Sequence, residues 1–229
     1  ARTVRTIYVF TGIAIDYKLN FEEGKDIQAL HLRSADKLFD LLVMNKGLYI
    51  KMGQAVAVQA SMFPAAFQKK FASLFDNAPA DTWEEVSNTV REEFGKEPEE
   101  LFDEFDKTAI ASASIAQVYK ARLKGTDQKV AVKIQHANIP KQMELDLLTY
   151  RSIMWVYEQI FDMPLYFISK YISSRMRLEI DFLNEARNTE ITKRLVAAEW
   201  GASDFPEVYV PKVFSQYTTK RVMVTEWID

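Results

Sequence analysis

The chain has 229 residues, of which 48% are hydrophobic and 27% charged, a balance typical of a globular protein that buries a core in one elaborated domain or two small ones. Its net charge is −3 with both signs interspersed, so we expect no nucleic-acid partner. With no cysteine and only two histidines, far apart in sequence, thiolate chemistry, disulfides and an ordinary Cys/His metal site are excluded, and no metal ligands are predicted.

The first third of the chain has the apolar spacing of helices. The next helix is predicted to begin at a cap on Asp81 or Thr82 and to end at Gly95. We interpret residues 1–106 as a helical N-terminal extension and 107–229 as a second domain. The earlier helices are predicted over 31–42, 47–60 and from Pro64 to about Leu74.

Two apolar features of the extension have alternative interpretations. Thr6–Ile15 is far shorter than the roughly 20 residues that span a bilayer, so we favour a helix docked on the core over the end of a membrane helix. Phenylalanines at four-residue spacing form a stripe that is more often core than a membrane contact. The stripe consists of Phe63, Phe67, Phe71 and Phe75.

From Ser114 the apolar pattern changes to the period of strands. Along 129–135, Val130, Val132 and Ile134 should share one face, while Ala131, Lys133 and Gln135 should share the other. The predicted strands are 118–123, 129–135, 208–216 and 221–228, and helices are predicted over 140–161 and 167–199.

The segment Val130–Ile134 reads Val-Ala-Val-Lys-Ile and follows a small-residue loop, Ala111–Val118. In kinases, an alanine at this position leaves space for the adenine ring, and the lysine reaches the nucleotide phosphates. When so short a motif occurs alone, its lysine is more often just a half-exposed residue on a strand. The loop has alanine where glycine is usual, which forfeits positive-φ conformations. The sequence therefore predicts a nucleotide site with altered loop geometry.

A phosphate-binding lysine needs a carboxylate partner to hold it in place. Glu179, Asp181 and Glu185 are candidates; on a continuous helix, Asp181 and Glu185 would share a face while Glu179 would not. The alternative is a solvated acidic helix face.

Lys51 and Gln54 share a predicted helix face, with Gly53 between them allowing close approach of another backbone segment.

In this order, Lys-x-Gly-Gln, the Ala/Ser loop ending in Gln-Val, Val-Ala-Val-Lys and Glu-x-Asp-x-x-x-Glu closely resemble the UbiB family of atypical kinases, the aarF-domain-containing kinases. The sequence of residues 182–188, Phe-Leu-Asn-Glu-Ala-Arg-Asn, is most similar to sequences of the mitochondrial, fungal and animal branch of this family. The resemblance implies an α+β fold: a kinase-like N-lobe with an antiparallel five-stranded sheet and an αC-type helix, preceded and interrupted by family-specific helices.

The resemblance also implies roles for individual residues. Lys133 would be the phosphate lysine and Glu185 its partner. Lys51 and Gln54 would belong to a helix folding over the pocket, where Glu179 and Asp181 would meet it. Thr225 would be the gatekeeper, with Glu226 and Ile228 at the hinge. The residues expected around the nucleotide are Ala113, Ser114, Ile115, Ala116, Gln117, Val118, Ala131, Lys133, Thr225, Glu226 and Ile228.

By resemblance, the cofactor would be ATP or ADP, and Mg²⁺ is expected only with a C-lobe, which carries the catalytic and metal-binding residues of kinases. The chain starts without methionine and ends at the hinge, so we expect it to be part of a longer protein. Coenzyme Q biosynthesis or distribution at the mitochondrial inner membrane is the implied process, with a lipid or quinone as further partner. The alternatives are a lipid-binding helical module on a kinase-like scaffold and an ordinary protein kinase.

Overall fold

The computed structural model describes residues 1–58, 63–75, 80–199 and 208–229. The chain forms two compact units, one of Ala1–Asn77 with Asn138–Ser174 and one of Ala78–Ala137 with Arg175–Asp229. The division differs from the predicted boundary after residue 106, because residues 83–105 contribute to the second unit and a later helical segment returns to the first.

The described residues contain nine helices and five strands. The helices are α1 (Arg2–Asn20), α2 (Ile27–Asn45), α3 (Leu48–Val58), α4 (Ala65–Phe71), α5 (Trp83–Phe94), α6 (Pro98–Leu101), α7 (Ile139–Phe161), α8 (Leu165–Glu179) and α9 (Phe182–Glu199). The strands are β1 (Phe102–Phe105), β2 (Ala111–Ser112), β3 (Ala116–Leu123), β4 (Lys129–Gln135) and β5 (Val222–Glu226). Short 3₁₀ helices cover Ala72–Phe75 and Ser215–Tyr217.

The first unit is helical, and α1 packs against α2 and α7. Thr6, Ile13 and Ala14 are its buried side chains, so the predicted docking of the Thr6–Ile15 segment is confirmed. Phe67 and Phe71 of the phenylalanine stripe are also buried in a core. Among the helices that the structure describes, none combines the length and apolarity needed to cross a membrane.

The second unit is built on an antiparallel sheet of order β1-β3-β4-β5, with β2 also paired to β3. Val86 and Val90 of α5 pack into the core on one face of this sheet. Thr82 caps α5 in a capping box with Glu85, and Gly95 ends it with φ +65°. The predicted α+β architecture with a five-stranded antiparallel sheet is confirmed.

Two predicted elements are wrong in detail. In place of a strand over 208–216 there is a single bridge, Val213 to Thr225; Pro211 has no amide to donate to a ladder. The helix predicted over 167–199 is two helices, α8 and α9, because the amide of Phe182 donates to the carbonyl of Lys220 instead of continuing the first helix. The short strands β1 and β2 were not predicted.

Candidate functional site

The outer face of β4 carries the predicted nucleotide residues. Val130, Val132 and Ile134 are fully buried on the core face, whereas Ala131 and Lys133 are half-buried on the opposite face, as the alternation predicts. Directly across the sheet, Thr225 of β5 lies opposite Ala131, and Val118 of β3 lies opposite Lys133. The register therefore gathers these side chains on one surface.

Lys133 is held by an ion pair. Its Nζ lies 2.7 Å from both Oε1 and Oε2 of Glu185 and 4.8 Å from the centroid of the Phe182 ring. Glu185 lies in the first turn of α9, where the helix dipole favours a carboxylate. The side chains of Lys133 and Glu185 are 30% and 42% exposed, so the pair is ordered but open to solvent.

Asp181 lies directly before α9, and its carbonyl accepts a hydrogen bond from the amide of Glu185 at 3.4 Å, so the interruption between α8 and α9 separates Glu179, not Asp181, from Glu185. The Oδ1 of Asp181 accepts a hydrogen bond from the amide of Leu183 at 3.1 Å, and its carbonyl also accepts from Asn184 at 3.0 Å. These contacts are typical of an N-cap. The break is fixed further by Gln135, whose Nε2 donates to the carbonyl of Ile180 at 2.8 Å. Asp181 thus starts the helix that presents Glu185 to Lys133.

A cavity of about 560 Å³ adjoins the ion pair, a volume typical of small-molecule sites. Four charged side chains line it, and two of them, Lys133 and Glu185, form the pair. The lining residues are Lys133, Arg175, Leu178, Glu179, Asn184, Glu185, Asn188, Thr189, Thr192 and Val210.

Two parts of the cavity were not predicted from the sequence: Arg175 and the polar face of α9. Asn188, Thr189 and Thr192 lie three, four and seven residues after Glu185. That spacing places them on the same helix face, so helical periodicity counted from Glu185 could have found them. The cavity therefore extends along α9 from the Lys133 side chain.

The loop Ala113–Ile115 joins β2 to β3 without positive-φ backbone; in the described ranges, the non-glycine residues with positive φ are Lys46 and Asp162. Ser114, Ile115 and Ala116 are buried. This compact turn agrees with the expectation that alanine removes the left-handed conformations of a glycine-rich loop.

Gln117 has a fully buried side chain that contacts protein. Its Oε1 accepts a hydrogen bond from the amide of Asp81 at 2.8 Å. The side chain thereby fixes the segment that leads into α5. Its predicted contact with nucleotide stays a prediction.

The predicted hinge follows β5. The amide of Glu226 donates to the carbonyl of Lys212 at 2.8 Å. The hydroxyl of Tyr209 donates to the Glu226 carboxylate at 2.6 Å, and this bond, with one from the Lys212 amide, lowers the pKa of Glu226. The Ile228 side chain is about half exposed. Hinge contacts with adenine would therefore rely on backbone groups other than the Glu226 amide.

Lys51 and Gln54 lie on α3 in the first unit. Gln54 Nε2 donates to the carbonyl of Leu74 at 2.8 Å. Gly53 is buried, and a Cβ at this position would lie 2.6 Å from Cδ1 of Leu42 and closer still to Leu74. A side chain at this position would therefore require the ends of these two leucine side chains to shift. That this helix folds over the nucleotide pocket stays a prediction.

No group of three or more His, Cys, Asp or Glu side chains is placed to hold a metal ion in the part of the chain that the structure describes. The site therefore consists of an ion pair, a polar cavity beside it and a glycine-free loop at the start of β3.

Comparisons with known proteins agree with this arrangement. The ABC1 atypical kinase-like domain matches residues 73–229. An ABC1 family protein of Schizosaccharomyces pombe is 48% identical over all of this chain and 43% of its own length. AarF domain-containing protein kinase 1 of Xenopus laevis is 35% identical over all of this chain and 44% of its own length.

A solved structure is also similar: the Rv3197–erythromycin complex from Mycobacterium tuberculosis, with a TM-score of 0.55 and 27% identity over 89% of this chain and 50% of that chain. The chain spans less than half the length of the curated relatives it matches. On this evidence, the chain belongs to the ABC1 (AarF-domain) family of atypical kinase-like proteins.

Proposed function

We propose that this chain is the nucleotide-binding lobe of an ABC1 atypical kinase-like protein and that Lys133 binds the phosphates of ATP or ADP. The observation that carries the proposal is the Lys133–Glu185 pair at the edge of a polar cavity. A nucleotide site needs its lysine held in one position yet accessible, and this pair meets both conditions.

The geometry leaves capacity for a phosphate. An ammonium has three N–H donors, and the two oxygens of Glu185 engage two of them. The remaining donor of Lys133 would bind a phosphate oxygen, and Arg175 adds a positive charge to the same cavity. Val118, Ala131 and Thr225 would border the adenine. Mg²⁺, where it binds, would neutralise phosphate charge with ligands from a C-lobe.

For the biological role, the proposal rests on family resemblance. We place the whole protein in lipid metabolism, with coenzyme Q biosynthesis or distribution as the process and the mitochondrial inner membrane as the location. A lipid or quinone would be its further partner.

The proposal is tested with Lys133→Ala in the full-length protein. The variant should lose the nucleotide-induced rise in melting temperature, because the ammonium that neutralises the phosphates is removed. Lys124→Ala is the matched control: Lys124 pairs with Asp103 at 3.1 Å in the same unit but does not line the cavity. Retention of the full nucleotide effect by Lys133→Ala would refute the site.

A second candidate function, binding of a membrane lipid by the helical unit, is favoured by an apolar groove. The groove measures about 490 Å³ and lies between α1 and α7, lined by Ile7, Phe10, Ile15, Leu148 and Val156 among others. Lys18 lies over the Phe161 ring at 5.3 Å on these same two helices. A lipid with an acyl chain in the groove could place its phosphate near this cation.

Vesicle flotation tests the second candidate, using vesicles of phosphatidylcholine with and without phosphatidic acid. Ile7→Glu should reduce flotation, since Ile7 lines the groove and is 49% exposed. Val58→Glu is the control, because Val58 is 71% exposed in the same unit and does not line the groove. Failure of the wild-type protein to float with either vesicle would remove this candidate.

A further inference from the structure

We infer that His136 and Asp81 form a clamp that positions the loop Ala113–Ile115 for phosphate binding, and that the clamp requires the protonated imidazole. The inference rests on the proposed nucleotide function, but its two side chains, His136 and Asp81, lie outside the cavity and outside the family motifs. We call this pair the His136–Asp81 clamp.

Both ring nitrogens of His136 face acceptors. Nδ1 lies 3.0 Å from Oδ1 of Asp81, and Nε2 lies 2.9 Å from the carbonyl oxygen of Ala113. A neutral imidazole has one N–H and could satisfy only one of these contacts, whereas the imidazolium donates to both. The geometry therefore fits the charged ring, which joins a carboxylate before α5 to the backbone of the loop.

Backbone hydrogen bonds hold the same three segments. The amide of His136 donates to the carbonyl of Ile115 at 3.0 Å, and the amide of Ala137 donates to Oδ2 of Asp81 at 3.0 Å. The Asp81 amide in turn donates to Gln117. The clamp thus connects the start of α5, both sides of the loop and the end of β4, the strand that carries Lys133.

The clamp is shielded from water, since the side chains of His136 and Asp81 are 12% and 17% exposed. Among the described residues, the charged groups that act on His136 are Asp81 and Glu85, both acidic. The loop contributes the Ala113 carbonyl, and β3 contributes Tyr119, which acts on Asp81. The surroundings of the ring therefore favour its positive charge.

The directions of the two pKa shifts agree with an ion pair. Burial lowers the pKa of His136, but the bonds to Asp81 and the Ala113 carbonyl outweigh it and raise the pKa above 6.5. Burial raises the pKa of Asp81, but the bonds from His136 and the Ala137 amide outweigh it and lower the pKa below 3.8. Each partner thus favours the charged form of the other.

The sign of the pH dependence follows. The contribution of His136 to folding stability is complete below pH 6.5 and is lost as the pH rises through the higher pKa that His136 has in the folded state. The Asp81 contribution is complete above pH 3.8 and is lost as the pH falls through its lowered pKa. The clamp is therefore fully formed between pH 3.8 and pH 6.5, and the loop should loosen as the pH rises through the raised pKa of His136.

Amide hydrogen exchange of the nucleotide-free, full-length protein tests the clamp. In the wild type, protection factors across Ala113–Gln117 should fall as the pH rises above the His136 pKa. In His136→Gln they should be about tenfold lower at pH 6 and lack this pH step, because a single NH2 group that does not titrate replaces two separate ring N–H groups. His31→Gln is the matched control: it removes the other histidine, in the first unit, and should leave loop protection unchanged.

Asp81→Asn is the second variant, because its amide oxygen still accepts from Ala137 while the charge is lost. It should lower the His136 pKa, measured by NMR, and reduce loop protection in the same direction as His136→Gln. Unchanged loop protection in both variants, or a wild-type His136 pKa at or below 6.5, would overturn the clamp.

Nucleotide affinity, measured in parallel, separates this inference from the proposed function. His136→Gln should raise the nucleotide Kd about tenfold at pH 6, and less at a pH above the His136 pKa, where the wild-type ring is also neutral. An unchanged Kd at pH 6 would overturn the positioning role. A wild type that binds no nucleotide, yet shows the predicted exchange behaviour, would refute the proposed function and leave the clamp in place.

Discussion

Each of the two units contains a well-formed ion pair, and their surroundings differ. In the first unit, Arg2 donates to both carboxylate oxygens of Asp146, whose side chain is only 4% exposed. In the second, the side chains of Lys133 and Glu185 are 30% and 42% exposed and line a cavity. The same chemistry therefore serves packing in one unit and is available to a ligand in the other.

The Arg2–Asp146 pair belongs to a network of hydrogen bonds with neighbouring protein groups, which indicates a structural role. Arg2 also donates to the carbonyl of Asn45, whose side-chain amide donates to the hydroxyl of Thr6 at 3.0 Å. That hydroxyl lies 2.9 Å from the hydroxyl of Tyr49. Burial raises the pKa of Asp146 despite the opposing effect of Arg2. This network consequently joins α1, α2, α3 and α7.

The largest loss of folding stability is expected for Asp146→Ala. Loss of the carboxylate leaves the Arg2 guanidinium, which is only a quarter exposed, without its partner and should lower the free energy of unfolding by about 2–3 kcal/mol. Urea denaturation measures this loss, and the nucleotide-induced stabilisation should persist.

The control for this prediction is Asp36→Ala, which breaks a solvent-exposed pair with Lys70 in the same unit. It should leave stability unchanged, because such pairs are screened by water. Equal losses in Asp146→Ala and Asp36→Ala would show that burial does not distinguish the first pair, and the comparison would fail.

A smaller effect is expected from glycine substitutions in the first unit. Alanine at Gly53 gains about 1 kcal/mol of helix propensity but must displace Leu42 and Leu74, and overpacking of this kind costs about 1–3 kcal/mol. The expected net result is a loss of about 1 kcal/mol. Gly12→Ala, also helical but with no atom within 4 Å of the added Cβ, should stabilise by up to about 1 kcal/mol.

Thermal or urea unfolding compares the two glycine variants. A loss of stability in Gly53→Ala together with a gain in Gly12→Ala would show that Gly53 is fixed by packing against Leu42 and Leu74. A gain of similar size in both variants would instead mean that these leucines move aside freely, and the packing explanation for the glycine in Lys-x-Gly-Gln would be wrong.

Local chemistry explains what the sequence could predict. The period-two alternation of β4 was enough to separate Val132 from Lys133. Capping preferences were enough to place the end of α5 at Gly95 and to narrow its cap to Asp81 or Thr82, of which the structure shows Thr82. The family motifs paired Lys133 with Glu185, a contact that the structure confirms. These predictions depend on neighbours in sequence or on recognised motifs.

Long-range contacts account for what the sequence could not predict. The break before α9 depends on bonds from Phe182 to Lys220 and from Gln135 to Ile180, which no local pattern contains. The clamp on His136 joins residues 55 positions apart. The association of α7 with the first unit likewise depends on its packing against α1. Such features require the folded chain.

The most direct measurement of the central claim is a double-mutant cycle on nucleotide affinity in the full-length protein, using Lys133→Met, Glu185→Gln and their combination. If Glu185 acts by positioning Lys133 on the phosphates, the combined variant should bind about as weakly as Lys133→Met alone, with a coupling of about 1 kcal/mol or more. Lys124→Met and Asp103→Asn, the control pair, should leave the Kd unchanged. Independent, additive losses at Lys133 and Glu185, or no loss at either, would contradict the account.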